Sequence, residues 1–186
     1  LKQLRTELLR LMDEIEGLAQ APVPLRVADH PEWIALRSGV EQAERKILAQ
    51  AHEALDRGAD DALLLNAEGT VSGVTGGNVF FVRGGRLFTN DESSSIVPGI
   101  TRDCILTLAR AHDLPVVVRA FTREELLRAD EVFLTGTAAE VTPVRALDGV
   151  EFPTGKRTFS ALFQRAYLRA VTGKTPEYAD WLTPVT

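Results

Sequence analysis

The chain has 186 residues, of which 45% are hydrophobic and 25% are charged, and this composition is typical of one globular domain or one domain with an appendage. A net charge of −5 argues against nucleic acid or an anionic membrane surface as the main partner. No apolar stretch approaches the roughly 20 residues of a membrane span. The single cysteine, Cys104, excludes an intrachain disulfide, so we expect a cytoplasmic protein.

The first 36 residues predict a helical extension. Leucine and isoleucine recur every three or four residues up to about residue 19, with charged residues between them, which indicates an amphipathic helix. Two prolines within residues 22–25 end this helix, because proline cannot continue a helix interior. A second helix is predicted to begin after Pro31 and to end near residue 56. We place the domain boundary between residues 36 and 37.

From residue 61 onward the pattern changes to short strands and turns, interrupted by helices. Strands are predicted over residues 62–65, 70–75, 78–83, 86–89, 116–118 and 131–134. Turns are predicted at residues 67–69, 84–85 and 148–149, and helices over residues 101–111, 124–128 and 157–170. The mixed order of strands and helices predicts an α/β domain that spans residues 37–186.

The histidines do not predict a metal site. His30, His52 and His112 are scattered along the chain without the spacing of metal ligands, so we interpret them as surface or capping residues. Arg102 falls in the first turn of a predicted helix, against the usual preference of the helix dipole. Two interpretations stay open for it: recruitment of an anion, or pairing with Asp103 or another nearby acid.

Two segments combine glycine with hydroxyl residues at the ends of predicted elements. They are residues 94–103, which contain Pro98-Gly99-Ile100-Thr101, and residues 134–143, which contain Gly136-Thr137-Ala138. Each places a concave stretch of backbone N–H groups where a strand or turn ends, an arrangement that suits a phosphate. The simpler alternative is that the glycines only make turns and the threonines only cap.

Together with four further stretches, these segments resemble the class IV, branched-chain-aminotransferase-like enzymes that use pyridoxal phosphate (PLP). The resemblance covers residues 53–186, in the same order and almost without gaps. It is carried by residues 61–66, 76–80, 98–103, 129–133, 136–144 and 181–185. The resemblance implies the C-terminal pseudobarrel domain of that family, preceded here by two helices.

The resemblance also implies the residues of a cofactor site. The backbone amides of Ile100 and Thr101 and the hydroxyls of Thr101 and Thr137 would hold the cofactor phosphate. Amides around Thr137 and Ala138 would receive a substrate carboxylate. We name the five residues Ile100, Thr101, Gly136, Thr137 and Ala138 the phosphate cup.

The positions that act on the cofactor ring depart from the family pattern. A PLP transaminase needs a lysine for the Schiff base and a carboxylate at the ring nitrogen. Counted back without gaps from Gly58, the lysine position is Gly39, and the carboxylate position is Gly73. The family's tyrosine position is Glu44. Lys46, seven residues after Gly39, is the only nearby substitute, and it falls in a run of polar residues typical of a solvated helix face.

These substitutions leave two functions open. Membership of a fold family does not decide whether the chain is an enzyme. In the first, the chain is a degenerate homologue that acts as a binding or assembly subunit of a homo- or hetero-oligomer. It would hold PLP or another phosphate-bearing molecule without a Schiff base. In the second, it is an active class IV aminotransferase or lyase that uses a displaced lysine or a second chain. The loss of both ring-side groups favours the first.

Overall fold

The computed structural model describes residue 49 and residues 51–183. These residues fall into two compact units that divide between Leu64 and Leu65. In the first unit, residues 51–56 are helical, and Gly58 ends the helix with a φ of +82°, a value that favours glycine. No helix within the described residues is long and apolar enough to cross a membrane.

Several sequence predictions lie outside the described residues. They are the helix over residues 1–19, the start of the second helix and the domain boundary at residues 36–37. These stay predictions, and the fold below is that of residues 51–183.

The described residues contain short strands and three further helices in mixed order. The strands are β1 (Leu63–Leu65), β2 (Val71–Val74), β3 (Asn78–Arg83), β4 (Arg86–Thr89), β5 (Val116–Val118), β6 (Glu131–Gly136), β7 (Glu140–Pro143), β8 (Ala146–Leu147) and β9 (Val150–Glu151). The helices are α1 (Ile100–Ala111), α2 (Arg123–Leu126) and α3 (Phe159–Val171), with 3-10 turns at Glu92–Ser94 and Pro176–Trp181. The predicted α/β class is confirmed.

A five-stranded sheet in the order β5-β4-β3-β6-β7 organises the second unit. β3 pairs antiparallel with both β4 and β6, whereas β5 runs parallel to β4. The hairpin between β3 and β4 turns at Gly84 and Gly85, with φ values of +56° and +70°. Two consecutive positive φ values match the twist of a tight hairpin, so the predicted turn is confirmed. Asp148 and Gly149 connect β8 and β9, and their φ values are also both positive.

Aromatic residues on both faces of β3 form the core around this sheet. Phe80 stacks on its cross-strand neighbour Phe133 with ring centroids 5.2 Å apart, and Phe133 in turn contacts Phe163 of α3 at 5.8 Å. On the opposite face, Phe81 and Phe121 form a T-shaped pair with ring centroids 5.0 Å apart. Because side chains alternate along a strand, the packed residues of β3 lie on both of its faces. This packing holds the residues at the ends of the strand in place.

The buried carboxylate of Glu131, the first residue of β6, joins the sheet to α3. One carboxylate oxygen accepts a hydrogen bond from the backbone N–H of Phe159 at 3.0 Å, and the other accepts from that of Ser160 at 3.1 Å. Thr158 caps the same helix by accepting from the N–H of Ala161. A negative charge at this end of the helix also interacts favourably with the helix dipole.

We expect Glu131→Gln to lower the free energy of unfolding by about 1–2 kcal/mol, because it removes charge-assisted hydrogen bonds and the charge at the N-terminus of α3. The measurement is urea unfolding followed by circular dichroism. Glu151→Gln is the control, since Glu151 is exposed and makes no ion pair within the described residues. Equal stability of the two variants would show that the cap contributes little.

The helix α2 is also capped at its N-terminus, by reciprocal hydrogen bonds between Thr122 and Glu125. Arg119 donates to both carboxylate oxygens of Glu125, at 2.5 and 3.2 Å. This hydrogen bonding is the main reason that the pKa of Glu125 lies below its ordinary value. The pair is partly exposed, so water screens it and its contribution is small.

The lowered pKa of Glu125 gives a pH dependence with a definite sign. Its stabilising contribution is complete above the ordinary glutamate pKa of about 4.3 and is lost as the pH falls through the lower pKa of the folded state. We therefore expect Glu125→Gln to cost at most about 1 kcal/mol at neutral pH and to make stability fall less steeply in acid. Urea unfolding across the acid range tests this, with Glu177→Gln, an exposed glutamate, as the control. Identical acid profiles for the two variants would contradict the stabilising role of the pair.

Candidate functional site

The first half of the phosphate cup is the start of α1. Gly99 precedes the helix in an extended conformation and offers no side-chain cap, so no capping side chain occupies the N–H groups of the first turn. These groups have no partner within a helix, and they carry the positive end of its dipole. The Ile100 side chain is 86% exposed, whereas Thr101 is buried. The first residue of the helix is thus exposed to solvent, whereas the threonine that follows it is buried.

The second half follows the end of β6. Gly136 is the last residue of that strand, and Thr137 and Ala138 form an exposed turn before β7. The hydroxyl of Thr142 donates to the carbonyl of Ala139 at 2.6 Å and steadies the turn. Thr135, which precedes Gly136, is fully buried, and its hydroxyl has no hydrogen-bond partner within the described part of the chain.

Residues 76–78 contact Gly136 in the second half of the cup and Gly99, which leads into the first half. A β-carbon on Gly136 would lie 2.9 Å from the carbonyl oxygen of Gly76, and one on Gly99 would lie 2.6 Å from Oδ1 of Asn78. The Asn78 amide donates to the carbonyl of Val97 at 2.8 Å. The two halves, separated by about thirty-five residues in sequence, are therefore brought to one segment, as expected for a single site. The sequence patterns had indicated no role for Asn78.

Gly73, the predicted position of the missing carboxylate, has a backbone conformation that is strained for any residue with a side chain. It is buried with a φ of +152°, and a β-carbon there would lie 2.8 Å from the carbonyl oxygen of Gly77. That carbonyl is held in place because it accepts a hydrogen bond from the N–H of Val74 at 3.1 Å. A carboxylate cannot occupy this position unless the backbone moves.

Arg102, in the first turn of α1, is buried and makes no salt bridge within the described residues. Its guanidinium donates to the carbonyl of Asn90 at 2.9 Å, and its Nε has no partner there. Burial lowers the pKa of Arg102, and the charges of Asp103, Glu92 and Asp91 partly offset this. The direct pairing with an acid that the sequence allowed is absent from the described residues.

Gly39, Glu44 and Lys46 lie outside the described residues, so their roles stay predictions. Within residues 51–183, no group of three or more histidine, cysteine or acidic side chains is arranged to hold a metal ion.

Residues 45–147, more than half of the chain, match the sequence model of the amino-transferase class IV family. The chain belongs to the class IV aminotransferase family. The resemblance carried by the glycine-rich segments is thereby confirmed.

Relatives agree with this family. The chain is 44% identical over 134 residues to the branched-chain-amino-acid aminotransferase of Pseudomonas aeruginosa, a match that covers 72% of this chain and 43% of the relative. It is 44% identical over 136 residues to a probable branched-chain-amino-acid aminotransferase of Aquifex aeolicus, with the same coverage. The chain therefore spans less than half the length of these relatives.

Two solved structures of branched-chain aminotransferases share the fold of this chain. The enzyme from the archaeon Thermoproteus uzoniensis with norvaline has a TM-score of 0.73 at 40% sequence identity, over 77% of this chain and 48% of its own. The enzyme from Escherichia coli has a TM-score of 0.72 at 38% identity, over 77% of this chain and 47% of its own. The predicted α/β fold of the family's C-terminal domain is confirmed.

Proposed function

We propose that this chain binds a phosphate-bearing ligand in the phosphate cup and acts as a binding or assembly subunit of an oligomer, without PLP-dependent transamination. The observation that carries the proposal is the conformation of Gly73. Its φ of +152° and the carbonyl of Gly77 close the position where the family's ring-nitrogen carboxylate belongs. The glycine and threonine residues of the phosphate cup are therefore retained, whereas the position for the ring-nitrogen carboxylate is closed.

The residues of the cup suit a phosphate group. Ile100 and Thr101 supply backbone N–H groups at the start of a twelve-residue helix, and the exposed Thr137 supplies a hydroxyl on the opposite segment. Gly136 allows a close approach to the backbone of Gly76, and Gly99 allows one to the side chain of Asn78, that a β-carbon would prevent.

The residues beside the cup do not suit the pyridinium ring of PLP. When bound in an enzyme, this cofactor supplies an electron sink for a developing carbanion, and a carboxylate that keeps the ring nitrogen protonated maintains that sink. Position 73 cannot present such a group in the observed backbone conformation.

The alternative is an active aminotransferase or lyase that uses Lys46 or a lysine from a second chain. The names of the relatives favour it, since they are branched-chain aminotransferases. Borohydride treatment of the protein mixed with PLP separates the two functions. We expect no stoichiometric adduct at any single lysine and no amino transfer from branched-chain amino acids. A stoichiometric adduct at Lys46 would establish the alternative.

We expect Thr137→Ala to weaken binding of PLP or inorganic phosphate about tenfold, because a hydrogen bond to a charged group contributes about 1.5–3 kcal/mol. Isothermal titration calorimetry measures the change. Thr154→Ala is the control, since Thr154 is also an exposed loop threonine and lies outside the cup. An unchanged affinity in the Thr137 variant would mean that its hydroxyl does not contact the phosphate.

A further inference from the structure

Asn78 contacts the residues that lead into each half of the phosphate cup. It is the first residue of β3 and is only 6% exposed. Its backbone pairs with Thr135 on β6, one residue before Gly136. The register of β3 and β6 therefore fixes the distance from Asn78 to the second half of the cup.

The side chain of Asn78 contacts the segment just before the first half of the cup. Its Nδ2 donates to the carbonyl of Val97 at 2.8 Å, two residues before Gly99. Its Oδ1 lies against Gly99 so closely that a β-carbon at Gly99 would be 2.6 Å from it. The amide thus holds the segment that leads into α1 from two points, one a hydrogen bond and the other a steric contact.

We infer that Asn78 is a positioning residue that sets the two halves of the phosphate cup in register with each other. Its consequence for ligand binding rests on the proposed function. The same contacts explain why residue 99 is glycine, since only an absent side chain leaves room for the amide. Asparagine suits the position because its amide donates to the Val97 carbonyl, whereas an ionised aspartate would place a second acceptor there.

Asn66 provides a matched control for this role. Its amide donates to the carbonyl of Ser94 at 2.9 Å, so it also holds the loop before α1. Its other side-chain hydrogen bond goes to the hydroxyl of Thr70, and it makes none to Gly136 or its turn within the described residues. If holding the loop were sufficient, replacement of Asn66 and of Asn78 would have equal effects on the cup.

The first experiment needs no ligand. Amide chemical shifts and hydrogen exchange of the wild-type protein and of Asn78→Ala are compared by nuclear magnetic resonance. We expect changes in both halves of the cup, at Ile100 and Thr101 and at Thr137 and Ala138, whereas Asn66→Ala leaves the second half unchanged. Changes confined to the first half in Asn78→Ala would overturn the inference.

The second experiment is a double-mutant cycle on Asn78 and Gly99, read by the Kd of inorganic phosphate. We expect each single alanine substitution to raise the Kd about tenfold. The double variant should bind no more weakly than Asn78→Ala, because the lost amide leaves room for the new β-carbon. Additive losses would contradict the inferred pairing. Wild-type protein that binds no phosphate would contradict the proposed function, while the amide shifts would still decide the role of Asn78.

Asn78→Asp keeps the test available if the alanine variant does not fold. The protonated carboxyl group can donate to the Val97 carbonyl, whereas the ionised form cannot. We expect the ratio of variant to wild-type Kd to fall toward one as the pH is lowered and this carboxyl group, whose pKa is raised by burial, becomes protonated. A ratio that is independent of pH would contradict a role for the amide hydrogen bond.

Discussion

Gly73→Ala is expected to lower the free energy of unfolding by about 3 kcal/mol, a large effect for one methyl group. A positive φ costs an L-residue about 1–2 kcal/mol. The new β-carbon would also lie 2.8 Å from the carbonyl oxygen of Gly77, and that oxygen is held by the N–H of Val74. Relieving this contact requires backbone movement, which adds about 1–3 kcal/mol.

Two other glycines separate these two contributions. Gly69 has a φ of +80° with open space around its β-carbon position, so Gly69→Ala measures the conformational cost alone. Gly76 has open space and no positive φ, so Gly76→Ala should be nearly neutral. We expect stability losses in the order Gly73, Gly69, Gly76 in urea unfolding. A Gly73 variant that loses no more than the Gly69 variant would show that position 73 can hold a side chain.

Restoring the family's carboxylate by Gly73→Glu is correspondingly expected to destabilise the protein and to give no amino transfer. The longer side chain meets the same backbone oxygen before it can extend. Activity is measured with PLP and a branched-chain amino acid. A stable Gly73→Glu variant that gains turnover would mean that only one substitution separates this chain from an enzyme.

Gly136→Ala is expected to weaken phosphate binding by more than about tenfold, because the β-carbon would lie 2.9 Å from the carbonyl oxygen of Gly76. The turn at Thr137 and Ala138 must then shift away from that segment. Gly76→Ala is the matched control, since it alters the other side of the same contact where a β-carbon meets nothing within 4 Å. Its Kd should stay close to that of wild type. Equal effects of the two substitutions would contradict a specific contact at Gly136.

Local patterns predicted most elements of this fold. The bounds of β3, residues 78–83, agree with the prediction because an apolar run ends at a Gly-Gly hairpin, and both signals are local. The helix α1 begins one residue earlier than predicted, after the break at Pro98-Gly99. By contrast β7 was not predicted, because its residues Glu140–Pro143 become a strand only through pairing with β6. The 3-10 turn at Pro176–Trp181 was also missed.

The candidate site could be predicted only where its proposed chemistry lies in the backbone. Glycines beside threonines indicated both halves of the cup, and the structure brings both halves to residues 76–78. Sequence could not reveal the role of Asn78, because its partners Val97 and Gly99 are distant along the chain. Nor could it reveal that position 73 is closed, since a φ of +152° and the approach of the Gly77 carbonyl depend on the folded loop. The sequence indicated only that a carboxylate was missing.

The most direct test of a phosphate site without aldehyde chemistry compares three ligands on the wild-type protein. They are PLP, its analogue that lacks the aldehyde oxygen (4-deoxypyridoxine phosphate), and pyridoxal, which lacks the phosphate. We expect the first two to bind with equal Kd, pyridoxal to bind at least about tenfold more weakly, and borohydride to fix no stoichiometric adduct. PLP that binds far more tightly than the deoxy analogue and is fixed on one lysine would contradict the proposed function.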